Sequence, residues 1–204
     1  MQDKLEAMKK LKKALEEGKV DGDIIDLLLL INSIKGVHTT SSCSGRVGIM
    51  ETPEFGAKPL SRWLIKKHEP ISLSEVKEAL EDSKEGILIF KVQPPIFHIV
   101  CENLEIAKRV HQLGLESGFK YTSFRALSYS GRILVEINST ENISAPIGKD
   151  GKILVDDSFL EFLVEMGNRV LLRGKAKIDR LKESFYKLKE VLGNDPNWSV
   201  YELS

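Results

Sequence analysis

The sequence predicts an α+β fold: a mixed, largely antiparallel sheet covered by helices, and not a doubly wound nucleotide-binding fold. Three observations carry that expectation. Short β-branched segments come in pairs joined by glycine-containing turns. Segments with apolar residues at three- and four-residue steps stand at both ends of the chain and between the pairs. Neither a GxGxxG nor a GxxxxGK[ST] phosphate loop occurs.

From the N-terminus, Leu5, Met8, Leu11 and Leu15 recur at helical spacing and Gly18 follows as a stop. Asp21 stands where it can cap a second helix reaching Ile31, whose apolar run indicates deeper burial. This helical pair spans about residues 2–33, before Gly36. Val37–Ser42 and Arg46–Glu51 read as two strands that meet in a hairpin bend at Cys43-Ser44-Gly45. Thr52–Pro59 is a loop by its prolines and Gly56, and Trp63-Leu64-Ile65 begins a strand that ends near His68-Glu69-Pro70.

Ser72 with Glu75 three residues on is a capping box, and Val76, Ala79 and Leu80 share one face of the helix it starts. Ile87–Val92 is an apolar strand that Pro94-Pro95 ends. In the next strand, Ile96–Cys101, His98 shares a face with Ile96 and Val100. Leu104, Ala107, Val110 and Leu113 give a further helix that stops at Ser117-Gly118. Tyr121–Leu127 and Arg132–Asn138 flank a turn at Ser128-Tyr129-Ser130-Gly131, and Ile143–Gly148 turns back at Asp150-Gly151 into Lys152–Val155.

The C-terminal part is a long basic helical segment, about residues 158–192, with Phe159, Phe162, Met166, Val170, Ile178, Leu181, Phe185 and Leu188 at helical steps. Ser44-Gly45-Arg46-Val47-x-Ile49 is echoed by Ser130-Gly131-Arg132-Ile133-x-Val135, which suggests a duplicated hairpin/helix unit.

With 42% apolar and 29% charged residues, the 204-residue chain is expected to be a single ordered domain long enough to bury a sizeable core. Its two cysteines, Cys43 and Cys101, form no CxxC pair and no cluster with histidine at ligand spacing. That argues against a disulfide framework and against a metal site, and it suits a reducing cytoplasm. The longest apolar run, Ile24 to Ile31, is interrupted by Asp26 and too short to cross a bilayer, so no membrane association is expected. A net charge of zero argues against indiscriminate coating of nucleic acid. Between Arg169 and Lys189, however, eight basic residues stand against two acidic ones. Arg169, Arg173, Lys177 and Arg180 form a stripe beside the apolar face, which is either a solvated helix flank or a phosphate dock.

The stretch richest in chemistry is Thr39-Thr40-Ser41-Ser42-Cys43-Ser44-Gly45-Arg46. Short hydroxylated side chains leave backbone N–H groups accessible, Gly45 permits a close approach of main chain to ligand, and the Arg46 fork matches a carboxylate or phosphate. It reads as an anion-binding turn or, more plainly, as a hairpin bend. No Ser-His-Asp set is legible, and His38, His68, His98 and His111 are scattered. Cys43 near Arg46 allows an activated thiolate, but no base is identifiable beside it.

Taken in order, these residues resemble the tRNA wybutosine-synthesising protein 3 family of archaea and eukaryotes. The resemblance rests on Val20-Asp21, Ile31-Asn32 and the Thr39–Arg46 segment. It extends through Trp63-Leu64 with His68, Pro94 with His98 and Cys101, Ser117-Gly118-Phe119, Ser139-Thr140, Pro146 and Asn168. Lys120 departs from the arginine of the family pattern after Ser-Gly-Phe.

The resemblance implies a methyltransferase dependent on S-adenosyl-L-methionine, built without a doubly wound fold. Its target would be the N4 ring nitrogen of a tricyclic wybutosine precursor next to the anticodon of phenylalanine tRNA. On that reading Ser42, Cys43, Ser44, Gly45, Arg46 and Trp63 are expected to hold the cofactor. His98, His68 and Ser42 are expected at the chemistry, and Arg132, Ser139, Asn168, Arg169, Arg173, Lys177 and Arg180 on the tRNA. Two rival classes remain at this point: a non-catalytic RNA-binding module that uses the hydroxyl-rich hairpin and basic helix, and a cysteine-dependent enzyme using Cys43.

Overall fold

The computed structural model describes residues 2–54, 60–127 and 131–201. The expected loop at Thr52–Pro59 and the turn at Ser128–Gly131 therefore fall partly outside the described residues. The chain divides into two compact units, one formed by Met1–Ser44, Pro95–Thr140 and Ala176–Ser204 and the other by Gly45–Pro94 and Glu141–Lys175.

The first unit contains helices α1 (Gln2–Glu16), α2 (Ile25–Asn32) and α4 (Leu104–Glu116) and strands β1 (Val37–Cys43), β5 (Ile96–Cys101), β6 (Ser123–Leu127) and β7 (Ile133–Asn138). Its sheet is antiparallel throughout, in the order β1-β5-β7-β6. Strict alternation in β5 sends Phe97, Ile99 and Cys101 to one face and leaves Ile96, His98 and Val100 half-buried on the other. The buried face meets Leu27 and Ile31 of α2, Ala107, Val110 and Leu113 of α4, and Ile178, Leu181 and Phe185 of the C-terminal helix. Phe97 and Phe119 pack edge to face, with centroids 6.2 Å apart.

β1 carries one extra residue: Thr39 faces Ile99 and Ser41 faces His98, so Thr40 is left over. Such a bulge bends the strand and re-aims the side chains around it. Thr39 is pinned there, because its N–H donates to Asn32 Oδ1 at 2.8 Å and its Oγ1 accepts from Asn32 Nδ2 at 2.8 Å.

The second unit holds α3 (Leu73–Glu81) and strands β2 (Arg46–Thr52), β3 (Arg62–Lys67), β4 (Ile87–Gln93), β8 (Ile143–Lys149) and β9 (Lys152–Ile153). They form a second antiparallel sheet, β3-β2-β4-β8-β9. Val47, Ile49, Leu88, Phe90 and Ile147 form its core with Val76 and Leu80 of α3. The capping box starts α3 as expected: the Glu75 N–H donates to Ser72 Oγ, and the Ser72 N–H to Glu75 Oε2 at 2.8 Å. The β8–β9 turn has Asp150 at φ 50° and Gly151 at φ 73°, the mirror-image turn that matches strand twist. Helix α5 (Asp157–Leu192) is continuous over 36 residues, with its first part in the second unit and its last in the first.

Two local expectations are corrected. Val37–Ser42 and Arg46–Glu51 do not form a hairpin, because β1 pairs with β5 whereas β2 pairs with β3 and β4. Asp21 precedes a short 3-10 turn, Gly22–Ile24, without capping it. Its carboxylate accepts the Ser44 N–H instead, at 2.7 Å, so that N–H is not available for a cross-strand bond.

Candidate functional site

In the first unit, the sheet face opposite the core walls a cavity of about 600 Å³. Asp3, Glu6, Ala7, Lys10 and Ala14 of α1 form one side, at the three- and four-residue steps that put them on one helical face. The sheet side includes His38, Val100, Leu134 and Ala126, direct neighbours across β1, β5, β7 and β6. Thr39, Thr40, Ser41, Ser42 and Arg132 also line it. The lining is therefore partly apolar, partly hydroxyl-rich, and carries both signs of charge. Its volume lies within the roughly 300–1,000 Å³ of ordinary small-molecule sites.

Next to this cavity, one residue pair along the same sheet face, stands His98. Its Nε2 lies 2.9 Å from Glu136 Oε2, its cross-strand partner in β7. Arg125 donates to Glu136 Oε1 at 2.5 Å and Asn138 Nδ2 to the same oxygen at 3.3 Å. Burial opposes ionisation of Glu136, but these three donors outweigh it and hold the carboxyl at a pKa of about 2. An ionised carboxylate can only accept, so His98 Nε2 carries the hydrogen and Nδ1 is the acceptor of the neutral ring. The pair stands two residues along the strands from Val100 and Leu134, which line the cavity; that is about 7 Å.

His38, within the cavity wall, has its pKa pushed down to about 4 by burial and then by the nearby charges of Lys4 and Arg132. It is a neutral ring near pH 7. Ser42 Oγ is buried and has no hydrogen-bond partner among the described residues. Arg132 forms an ion pair with Asp3 across the cavity.

The second half of the hydroxyl-rich motif is engaged with the protein. Ser44 is fully buried and gives its N–H to Asp21. Gly45, at φ 92°, turns its carbonyl to His68 Nδ1 at 2.8 Å. A carbonyl only accepts, so His68 Nδ1 donates and Nε2 is the acceptor atom of its neutral ring. Arg46 bonds Gln93 Oε1 through Nε at 2.5 Å, and its guanidinium lies over the Trp63 ring, 5.1 Å from the centroid. Cys43 is half-buried. Cys101 is fully buried, and desolvation pushes its thiol up to about 12, which leaves no thiolate for chemistry.

The expected tRNA residues separate by environment. Arg169 and Arg173 are exposed, with long ion pairs to Glu165 at 3.6 Å and Glu141 at 3.6 Å. Lys177 is buried, with Nζ 3.3 Å from Ser139 Oγ, and Ser139 is buried as well. Arg180 lays Nε on the Ser117 carbonyl at 3.2 Å, beside the C-terminus of α4, where a cation complements the helix dipole. The Asn168 amide is used on both sides by the Ile71 backbone, at 2.9 and 2.8 Å.

Sequence reasoning did not single out Glu136, Arg125, Asp3 or His38 as site residues. Glu136 carried a weak signal, as an acid within the apolar alternation of Ile133, Val135 and Ile137.

The family profile described as Methyltransferase TYW3 matches residues 2–187. A protein of Thermococcus kodakarensis named tRNA(Phe) 7-((3-amino-3-carboxypropyl)-4-demethylwyosine(37)-N(4))-methyltransferase 2 is 61% identical over 195 residues, covering 96% of this chain and 91% of that one. A protein of the same name from Pyrococcus furiosus is 57% identical, covering 96% and 94%. Among solved structures, PH1069 protein from Pyrococcus horikoshii superposes with a TM-score of 0.86 at 42% identity, covering 90% of this chain and 94% of that one. A hypothetical protein from Aeropyrum pernix gives 0.73 at 29% identity, covering 83% and 99%.

Proposed function

The chain belongs to the TYW3 methyltransferase family, and on that premise we propose that it methylates the N4 ring nitrogen of 7-(3-amino-3-carboxypropyl)-4-demethylwyosine at position 37 of phenylalanine tRNA, with S-adenosylmethionine as donor. The observation that carries this reading is the match to relatives bearing that name over 96% of the chain. The cavity supports it: its volume suits a nucleoside-sized ligand, and its hydroxyls and paired charges suit a ligand that is both polar and zwitterionic.

When bound, S-adenosylmethionine supplies a methyl group on a positively charged sulfur. The chain's own residues have three tasks: to hold donor and acceptor in line, to exclude water, and to take up the proton of the ring nitrogen. Thr40, Ser41 and Ser42 are the ligand-facing part of the motif. Ser44, Gly45 and Arg46, whose polar groups meet Asp21, His68 and Gln93, shape the backbone that presents them. Cys43 and the Arg46–Trp63 pair complete that support.

His98 Nδ1 is the proton acceptor, and the Glu136 carboxylate on its other nitrogen balances the charge the ring gains. His68, with Nε2 as its acceptor atom, is the alternative base. Arg169 and Arg173 contact tRNA phosphates, whereas Lys177 and Ser139 bond each other and Arg180 and Asn168 hold backbone of their own unit. A cytoplasmic location fits a tRNA substrate. Among the described residues no helix is long and apolar enough to cross a membrane.

Calorimetric titration with S-adenosylmethionine tests the reading against that of a non-catalytic RNA-binding module. A methyltransferase gives saturable heat, and a pure RNA-binding module gives none.

A further inference from the structure

Arg132 and Asp3 belong to opposite walls of the cavity, one preceding β7 and the other in the first turn of α1, and they meet as an ion pair. Their side chains retain 31% and 53% exposure, so solvent reaches the pair and its contribution to stability is small. Such a pair can open without leaving a buried charge uncompensated. The cavity is also lined by the apolar Leu134, Val100 and Ala126 and by the hydroxyl-bearing Thr39, Thr40, Ser41 and Ser42. The pair thus offers a cation and an anion together, beside apolar and hydroxylated walls that also carry Glu6, Lys10 and Lys19.

We infer that the Arg132–Asp3 pair is the recognition element for a 3-amino-3-carboxypropyl group, the carboxylate docking on the Arg132 guanidinium and the ammonium on Asp3. The exchange conserves charge: one internal ion pair opens and two to the ligand form. The planar guanidinium suits a carboxylate through two parallel hydrogen bonds, and Glu6, one turn after Asp3 on the same helical face, adds a second anion for the ammonium.

Two ligands of the proposed reaction carry this same group: the methyl donor, on its sulfur, and the target base named for the relatives, on its ring. The inference rests on the proposed reaction for the identity of those ligands, and its test is a binding measurement independent of methyl transfer.

The experiment compares two ligand pairs on the wild type and on Arg132→Leu. The first pair is S-adenosylmethionine and its decarboxylated form, measured by calorimetry. The second is phenylalanine tRNA with and without the aminocarboxypropyl group on base 37, measured by filter binding. The wild type should prefer the carboxylate-bearing member of one pair by about tenfold or more, the usual scale of a charge-assisted bidentate contact. Arg132→Leu should reduce that preference to about twofold or less. Loss in the first pair assigns the pocket to the donor, and loss in the second assigns it to the target base.

Asp3→Asn, a mild change in an exposed first turn, decides the matter if Arg132→Leu does not fold: it should weaken binding of the carboxylate- and ammonium-bearing ligand while the melting temperature stays near the wild-type value. A carboxylate preference that persists unchanged in folded Arg132→Leu, or an affinity that stays at the wild-type value in folded Asp3→Asn, overturns the inference. Failure of methyl transfer with the binding preference intact would instead remove the proposed reaction and leave the recognition element standing.

Discussion

His98 Nε2 and Glu136 Oε2 stand 2.9 Å apart, and the other oxygen of Glu136 is held by Arg125 and Asn138. This arrangement fixes both the ring orientation and the tautomer of His98 and leaves Nδ1 as the acceptor atom of the ring. Glu136→Gln keeps the shape but offers an amide in place of the anion. Nitrogen NMR should then show a change from the Nε2–H tautomer to a mixture, and kcat should fall while KM for tRNA stays level. His98→Ala should lower kcat by about a hundredfold or more, the scale of general-base catalysis. Wild-type turnover in His98→Ala would move the proton-accepting role to His68.

Acid stability should report on Glu136. Its pKa falls from the ordinary 4.5 to about 2 on folding, so the folded state binds fewer protons than the unfolded one in that interval. The associated stability is fully present above pH 4.5 and lost as pH drops through about 2. Denaturant melts of Glu136→Gln should lack that part of the pH dependence; identical acid profiles would contradict the anionic assignment.

His38 predicts a second, higher window. Its folded pKa of about 4 lies below the ordinary 6.5, so protons favour the unfolded chain between those values. Stability is therefore full above pH 6.5 and declines as pH falls toward 4. His38→Gln should flatten the slope of melting temperature against pH over this range.

The environments along α5 predict unequal effects for its basic residues. Arg169→Glu with Arg173→Glu should weaken tRNA binding at all sequences and reduce the slope of log affinity against log salt by about one per lost phosphate contact. Donor binding should not change. Lys177→Met, by contrast, removes a buried ammonium bonded to Ser139 and should alter melting temperature while leaving the salt slope as it was.

Asp21 gives a prediction for the backbone of the hydroxyl-rich motif. Its carboxylate is the acceptor for the buried Ser44 N–H. Asp21→Ala should destabilise the protein by about 1.5–3 kcal/mol, the range for hydrogen bonds to charged groups. Cys43→Ser, which removes the thiol and keeps the backbone, should retain methyl transfer; loss of activity there would restore the cysteine-dependent reading.

The boundaries of most elements were legible because periodicity and caps are local signals: Ser72 with Glu75, the alternation of Ile96–Cys101 and the Asp150-Gly151 turn each declared themselves. Strand partners were not. The short Ser44-Gly45 link between two strands has the form of a hairpin, and the pairing of β1 with β5 depends on residues more than fifty positions away. The site follows the same division. Alternation put His98 on the half-buried face of its strand, but Glu136 joins it only through cross-strand register. The sequence marked only the Leu5, Met8, Leu11 and Leu15 stripe of α1, and it is the packing of that helix that makes Asp3, Glu6 and Lys10 a cavity wall.

The central claim is tested most directly by incubating the purified protein with methyl-labelled S-adenosylmethionine and phenylalanine tRNA that carries the demethylated precursor at position 37. Label recovered on N4 of that base, absent when unmodified tRNA is supplied, is the predicted result. A folded protein that binds the tRNA yet incorporates no label would contradict it and leave an RNA-binding module in its place.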